Sequence, residues 1–215
     1  MMFSTPKPTG ITKLKNPGMT RQYNGTINDD ELKKLPLLQF EGEVTLVDDI
    51  PKFRKAVEEI SRCRILGFDT ETKPSFKKGR RHKVSLLQLA DDRQAWLFRL
   101  NIIGLPEELA RLLADEHIIK VGVAIHDDIK ALKSLEPFEP GGFLDLQNVV
   151  RDHGITQLGL KRLSALILGY RISKSQQVSN WEAPALTEPQ QIYAATDAWV
   201  CRQIYLALNG KENRQ

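Results

Sequence analysis

From residue 38 onward the chain reads as short apolar runs alternating with stretches of helical periodicity. LQFEGEVTLV has strand composition interrupted by Gly42, and DDIPKFRKAVEEISRC then repeats Ile50, Phe53, Val57 and Ile60 at helical spacing. Three apolar runs follow, RILGFDTE, KVSLLQLAD and QAWLFRL. Only the turn-like DDR separates the last two, which predicts adjacent antiparallel strands. LPEELARLLADE reads as a helix with Pro106 in its first turn. HIIKVGVAI reads as a buried strand running into a helix near HDDIKALKSL. FLDLQNVVRDHG has the pattern of a short strand and helix, and LGLKRLSALILGY carries Leu160, Leu163 and Ile167 on one helical face. TEPQQIYAATDAWVCRQIYLAL opens with Thr187 and Gln190 in capping-box spacing and continues as a long helix. The order predicts an α/β domain with a mixed sheet of about five or six strands flanked by helices.

The flanks differ. Residues 1–37, rich in Pro, Gly, Thr, Asn and Lys, show neither period and read as a flexible N-terminal arm; 38–209 read as one domain, and 210–215 as a C-terminal tail. A length of 215 residues suits one such domain with a substantial core, and no internal repeat points to a solenoid. No run approaches the roughly 20 apolar residues of a membrane span, and the start lacks the apolar core of a secretory signal. An intracellular, cytoplasmic protein with no membrane partner is expected. Cys63 and Cys201 stand far apart without a metal-ligand rhythm, so they read as reduced packing residues.

Charge changes the picture in one place. The net charge of +4 permits a polyanionic partner without specifying one. Residues 73–83, however, hold six Lys/Arg and no carboxylate directly after Asp69 and Glu71. Lys77, Lys78, Arg80 and Arg81 are therefore candidate phosphate contacts, against the plainer reading of a solvated loop.

Three short acidic segments carry the candidate chemistry. In FDTE, Asp69 and Glu71 stand two apart at the end of an apolar strand, so their side chains share a face and can converge on one cation. In YAATD, Tyr193 and Asp197 stand four apart on one face of the last helix. Asp128 opens a helix just after the strand KVGVAI, a position where ligand-contacting side chains often sit in α/β folds. Taken singly, each has an ordinary explanation: an exposed strand edge, a helix-surface pair, a helix cap.

Taken in order, FDTE, VSLLQLA, KVGVAIHDD and SNWEAPALTEPQQIYAATDAW resemble the motifs of the DEDDy exonucleases, 3′-5′ nucleases of the RNase H-like superfamily. The resemblance covers roughly residues 38–208. It is closer to the exonuclease domain of the Werner-syndrome helicase than to ribonuclease D. It implies an RNase H-like fold in which Asp69, Glu71, Asp128 and Asp197 bind two divalent cations, Mg²⁺ or Mn²⁺, and Tyr193 completes the catalytic set. Such a pair of ions stabilises the attacking and leaving oxygens of an in-line phosphodiester displacement. The implied activity is 3′-5′ exonucleolytic hydrolysis releasing nucleoside 5′-monophosphates, on DNA in the first place, from a single-stranded 3′ end or a recessed duplex end. An exoribonuclease of ribonuclease D type and a catalytically silent nucleic-acid-binding module are the alternatives. Within HDD, the Lys-Val-Gly start of the segment sets the register and points to Asp128 rather than Asp127 as the metal ligand. Trp181 and Gln88, also matched by the pattern, read as packing and sheet support.

Overall fold

The computed structural model of the chain describes residues 23–75 and 82–210. Its elements in chain order are α1 (Asp29–Lys34), β1 (Glu43–Val47), α2 (Ile50–Ile60), β2 (Ile65–Thr72), β3 (Val84–Ala90), β4 (Gln94–Phe98), α3 (Leu100–Ile103) and α4 (Glu107–Ala114). These are followed by β5 (Ile119–Gly122), α5 (His126–Lys133), β6 (Phe143–Asp145), α6 (Leu146–Arg151), α7 (Leu160–Leu163) and α8 (Glu188–Leu208). Ser164–Leu168 extends α7 as a turn of π-helix, where the sequence pattern implies uninterrupted α-helix.

Six strands form one mixed sheet in the order β1-β4-β3-β2-β5-β6. The antiparallel pairs β2–β3 and β3–β4 make the centre, as the DDR turn between the two apolar runs implies. β1 joins β4 in parallel, and β5 and β6 extend β2 in parallel. Every residue of β3 is buried, so both faces of the sheet are covered there. On one face Phe53, Ile60, Leu109, Leu113 and Leu132 from the flanking helices meet Phe68, Leu87, Leu89 and Phe98. The other face belongs mainly to α8, which crosses β2, β3, β4 and β5. The start of α8 is fixed by the expected capping box, Thr187 accepting from the Gln190 backbone and Gln190 reaching back to the Thr187 N–H at 2.9 Å.

α8 lies unusually close to the sheet because its inner surface is built of alanines. Ala195 and Ala198 pack with Ala90 and Ala95, and Gly67 of β2 has no side chain to hold the helix off. A Cβ on Gly67 would stand 1.7 Å from the Ala198 carbonyl oxygen. Gly67, Asp69 and Glu71 share one strand face. The contact at Gly67 therefore brings α8 directly beside both carboxylates.

One buried charge lies outside this region. Lys120 of β5 is fully buried, donates to the carbonyls of Leu112 and Asp115 at the end of α4, and stands 5.1 Å from the ring centre of Phe143. It thereby satisfies orphan carbonyls at a helix C-terminus, where a cation is favoured. Desolvation lowers its pKa to about 8.

The expected flexible arm, 1–37, is corrected over its described part. Residues 23–37 are packed on the domain. α1 carries a capping box between Asn28 and Glu31, and Arg162 donates to the Ile27 carbonyl at 2.9 Å and pairs with Asp29 at 2.6 Å. The Ile27 N–H donates to the Gln157 side chain at 3.0 Å, and Tyr23 meets His153 edge-on. These partners lie more than a hundred residues away, so no local periodicity signals them. Among the described residues no helix is long and apolar enough to cross a membrane. Cys63 and Cys201 are both free thiols.

Leu32 is the apolar anchor of α1, only 2% exposed. Leu32→Ala is expected to lower stability by about 2–3 kcal/mol, within the range for truncating a buried leucine. Denaturant unfolding measures it, and an unchanged midpoint would show that α1 contributes nothing to the cooperative unit.

Candidate active site

β2 delivers Asp69 and Glu71, and α8 delivers Asp197 one residue before the Ala198 contact with Gly67. One carboxylate oxygen from each of the three lies within 4.8 Å of the others. Tyr193, a turn earlier on α8, lines the same cleft as Asp197, and that carboxylate helps hold its hydroxyl protonated. Its ring is backed by Trp181, fully buried, with centroids 6.0 Å apart and planes at 33°. Trp181 thus acts as packing, as its sequence position implies, and the group it packs is the site tyrosine.

Asp128 stands beside this trio rather than within it. It sits in the first turn of α5, and its Oδ1 accepts from the Thr70 hydroxyl on β2, between Asp69 and Glu71. Its charge acts on both Asp69 and Glu71. Asp127 is exposed, while Asp128 is half-buried. Successive helical residues point about 100° apart, so only one of the pair can turn to β2.

Electrostatics follow from crowding. Burial first, then Asp197 and Asp128, raise the Asp69 pKa well above the carboxylate range, against one stabilising bond from the Thr70 N–H. Asp69 keeps an opening to the cleft, yet protein fills most of the volume around it, so desolvation dominates. Glu71 is pushed up to about 9 by burial, then by Asp69, Asp197 and Asp128. Asp197 rises to about 7 through burial, offset in part by the Tyr193 hydroxyl and by Lys174. Asp128 is raised by burial, against the Thr70 bond. Burial and the neighbouring carboxylates hold the Tyr193 hydroxyl protonated far beyond its ordinary range. None of the four acids forms an ion pair among the described residues. A cluster of hard oxygen donors that no protein cation pairs directly among the described residues fits a divalent cation of the Mg²⁺ or Mn²⁺ type.

Asp69, Glu71, Tyr193 and Asp197 line a cleft of about 740 Å³, as do Lys161, Arg162, Lys174 and Gln177, while Asp128 stands outside its lining. Arg162 is committed to Ile27 and Asp29. Lys161 and Lys174 are cationic groups that the sequence reading missed, because they come from α7 and from the segment before α8. Lys77, Lys78, Arg80 and Arg81 lie outside the described residues. Lys73, just before them, pairs with Glu182 at 3.1 Å. Gln88 lies directly opposite Asp69 in the β2–β3 pair, fully buried, with neither amide atom hydrogen-bonded among the described residues.

A mixed six-stranded sheet flanked by helices, with carboxylates converging at a central strand, defines an RNase H-like α/β nuclease domain. The chain belongs to the 3′-5′ exonuclease family, whose sequence profile matches residues 44–211. It is 31% identical over 186 residues to the bifunctional 3′-5′ exonuclease/ATP-dependent helicase WRN of Mus musculus, covering 81% of this chain and 13% of that protein. The crystal structure of the Aedes aegypti Nibbler EXO domain superposes with a TM-score of 0.72 at 28% identity, over 80% of this chain and 89% of that one. Trypanosoma brucei RNase D in complex with RNA U12 shares the fold at a TM-score of 0.68 and 20% identity, over 82% of this chain and 64% of that one. The chain spans between 13% and 39% of the length of the curated relatives it first matches. The family is divalent-metal dependent, in keeping with the acidic cluster.

Two expectations follow. The ordinary pKa values of Glu71 and Asp197 are 4.5 and 3.8, and the folded values are about 9 and about 7. The metal-free native state therefore binds protons that the unfolded chain has released, and stability falls as pH rises through that window. In chelator the unfolding midpoint should drop from about pH 5 to about pH 8, below the range where Lys120 adds an opposite trend; saturating Mg²⁺ or Mn²⁺ should raise it and flatten the slope. A midpoint climbing with pH in chelator would refute the reading. In a nuclease assay, Asp127→Asn should cost little activity and at most about 1 kcal/mol of stability, as loss of a favourable charge at a helix start. Asp128→Asn should remove most activity with the fold intact, and the reverse ranking would shift the ligand by one residue.

Proposed function

We propose that the protein is a two-metal 3′-5′ exonuclease of the tyrosine-bearing branch. It removes nucleoside 5′-monophosphates one at a time from the 3′ end of a nucleic-acid strand, DNA in the first place. The observation that carries this reading is the convergence of Asp69, Glu71 and Asp197 within 4.8 Å, with Tyr193 lining the same cleft. Asp69, Glu71 and Asp197 would hold one ion, and Asp69 with Asp128 the other. When bound, the two cations stabilise the charge that develops on the attacking and leaving oxygens.

The chain's own groups do the rest. Water attacks the terminal phosphorus, the 3′ oxygen of the shortened strand leaves and takes a proton, and the released nucleotide keeps its 5′ phosphate. Tyr193 is a poor base, because a phenol's ordinary pKa is about 10 and burial with its carboxylate neighbours raises it further. It orients the nucleophile as a hydrogen-bonding group, held in place by Trp181. Lys161 and Lys174, which line the same cleft, supply cations for the strand's phosphates. RNA is the second reading, supported by the fold shared with an RNase D bound to RNA.

End-labelled single-stranded DNA, recessed duplex DNA and RNA, incubated side by side with Mg²⁺ and Mn²⁺, test the proposal. A ladder shortening by single nucleotides from the 3′ end, abolished by chelator, is expected, and absence of any metal-dependent ladder sinks it. Tyr193→Phe should slow single-turnover cleavage about a hundredfold, in the range for a positioned proton-handling group, while Mn²⁺ binding survives. Wild-type rates would reduce the hydroxyl to packing. Replacing Lys161 and Lys174 by alanine should weaken strand binding and flatten its log–log salt slope by about 1.4 for two lost single-strand phosphate contacts. An unaltered slope would remove the two lysines from the strand path.

A further inference from the structure

We infer that Asp145 is a positioning residue for the metal centre: its carboxylate holds the turn at Ala124 and thereby sets where Asp128 stands. The inference rests on the reading of Asp128 as a metal ligand. β5 and β6 run parallel, with Gly122 opposite Asp145. After Gly122 the chain must leave the sheet and enter α5 at His126 within three residues. It does so through Ala124 at φ +57°, the one non-glycine residue with positive φ among the described residues. A Cβ disfavours that conformation, so something must hold it.

Packing does not, because Ala124 is exposed. Nor does a helix cap, because Ile125 at the N-cap of α5 offers no side-chain hydrogen bond. The Ala124 N–H instead donates to Asp145 Oδ1 at 3.1 Å, and the same oxygen accepts from the Gln147 N–H at 2.9 Å. Capping α6 needs only the second of these bonds. The first ties the start of α5 to the start of α6 across the sheet edge. Asp128 lies four residues beyond Ala124, so a rotation at this turn swings its carboxylate relative to β2. Thr70 restrains the far side of that carboxylate. Outer groups that orient metal ligands act in this way.

The test uses the full chain and two readouts, calorimetric Mn²⁺ titration of the metal-free protein and unfolding in chelator, beside kcat and KM. Asp145→Ala should weaken Mn²⁺ binding about tenfold to a hundredfold and lower kcat, with KM for the strand little changed. Asp145→Asn keeps the accepting oxygen and should bind Mn²⁺ as wild type does. Adding Ala124→Gly to Asp145→Ala should recover part of the affinity, since glycine adopts the turn without a Cβ penalty. Wild-type Mn²⁺ affinity in Asp145→Ala, with only the chelator midpoint lowered, would make the role merely structural and overturn the inference. A loss of about tenfold or more in Asp145→Asn would also overturn it, independently of whether the alanine variant folds, by assigning the effect to charge rather than the acceptor. If the wild-type protein itself neither binds Mn²⁺ nor cleaves, the proposed function fails instead.

Discussion

The site depends on one close backbone contact, between Gly67 near the start of β2 and Ala198 on α8. A strand and a helix approach this closely only where neither presents a side chain of any size, and here the strand contributes glycine and the helix alanines. The consequence is a matter of register. Asp69 lies two residues beyond Gly67 on the same strand face, and Asp197 lies one residue before Ala198, so fixing one pair of backbones fixes the carboxylate pair. Tyr193 and Cys201 follow as the residues one turn to either side of Asp197, and both line the cleft. A methyl group at Gly67 would lift the helix and widen the gap between Asp69 and Asp197.

Such a gathering works against the folded state, since burial raises every carboxylate in it and the neighbouring acids raise Asp69 and Glu71 further. Without a cation the fold must hold these groups together by other means. Those means are apolar and distributed: β3 is buried along its whole length, and both sheet faces are covered by helices. The buried Gln88 amide opposite Asp69 adds a local cost of about 1–3 kcal/mol for unsatisfied polar groups. Buried charge and the unmet polarity of Gln88 thus meet at Asp69, and the stability that offsets them lies in the surrounding hydrophobic layers.

Most of the fold was legible because its elements announce themselves locally. The antiparallel centre came from two apolar runs with a three-residue turn between them, and α8 from a capping box before a long helical stretch. The acids were legible for another reason: their spacing within each segment is short, and the order of the segments resembles a known family. What escaped depends on long-range partners or on dihedral angles. α1 is a six-residue helix with a single buried residue, too short for any periodicity, and Arg162 and Gln157 dock it from far along the chain. Lys161 and Lys174 look like surface lysines until the fold folds their segments over the acids. The positive φ of Ala124 is invisible in a sequence where alanine gives no warning of it, as a glycine would have done.

The four acids also differ in how firmly the backbone holds them, and this explains why supporting groups gather at one of them. Asp69 and Glu71 ride on a strand bonded on both sides over part of its length, and Asp197 sits inside a helix of 21 residues pressed on that strand. Their positions are set by elements that cannot shift without breaking the core. Asp128 rides on a helix of eight residues that begins just after a strained turn and has no side-chain cap of its own. It therefore needs local anchors, and it has two, the Thr70 hydroxyl on its carboxylate and the Asp145 carboxylate on the turn behind it. Polar anchoring appears where hydrophobic anchoring ends, at the C-terminal end of β5 where it gives way to α5. An acidic cluster assembled across that boundary takes its rigidity from the core on one side and from hydrogen bonds on the other.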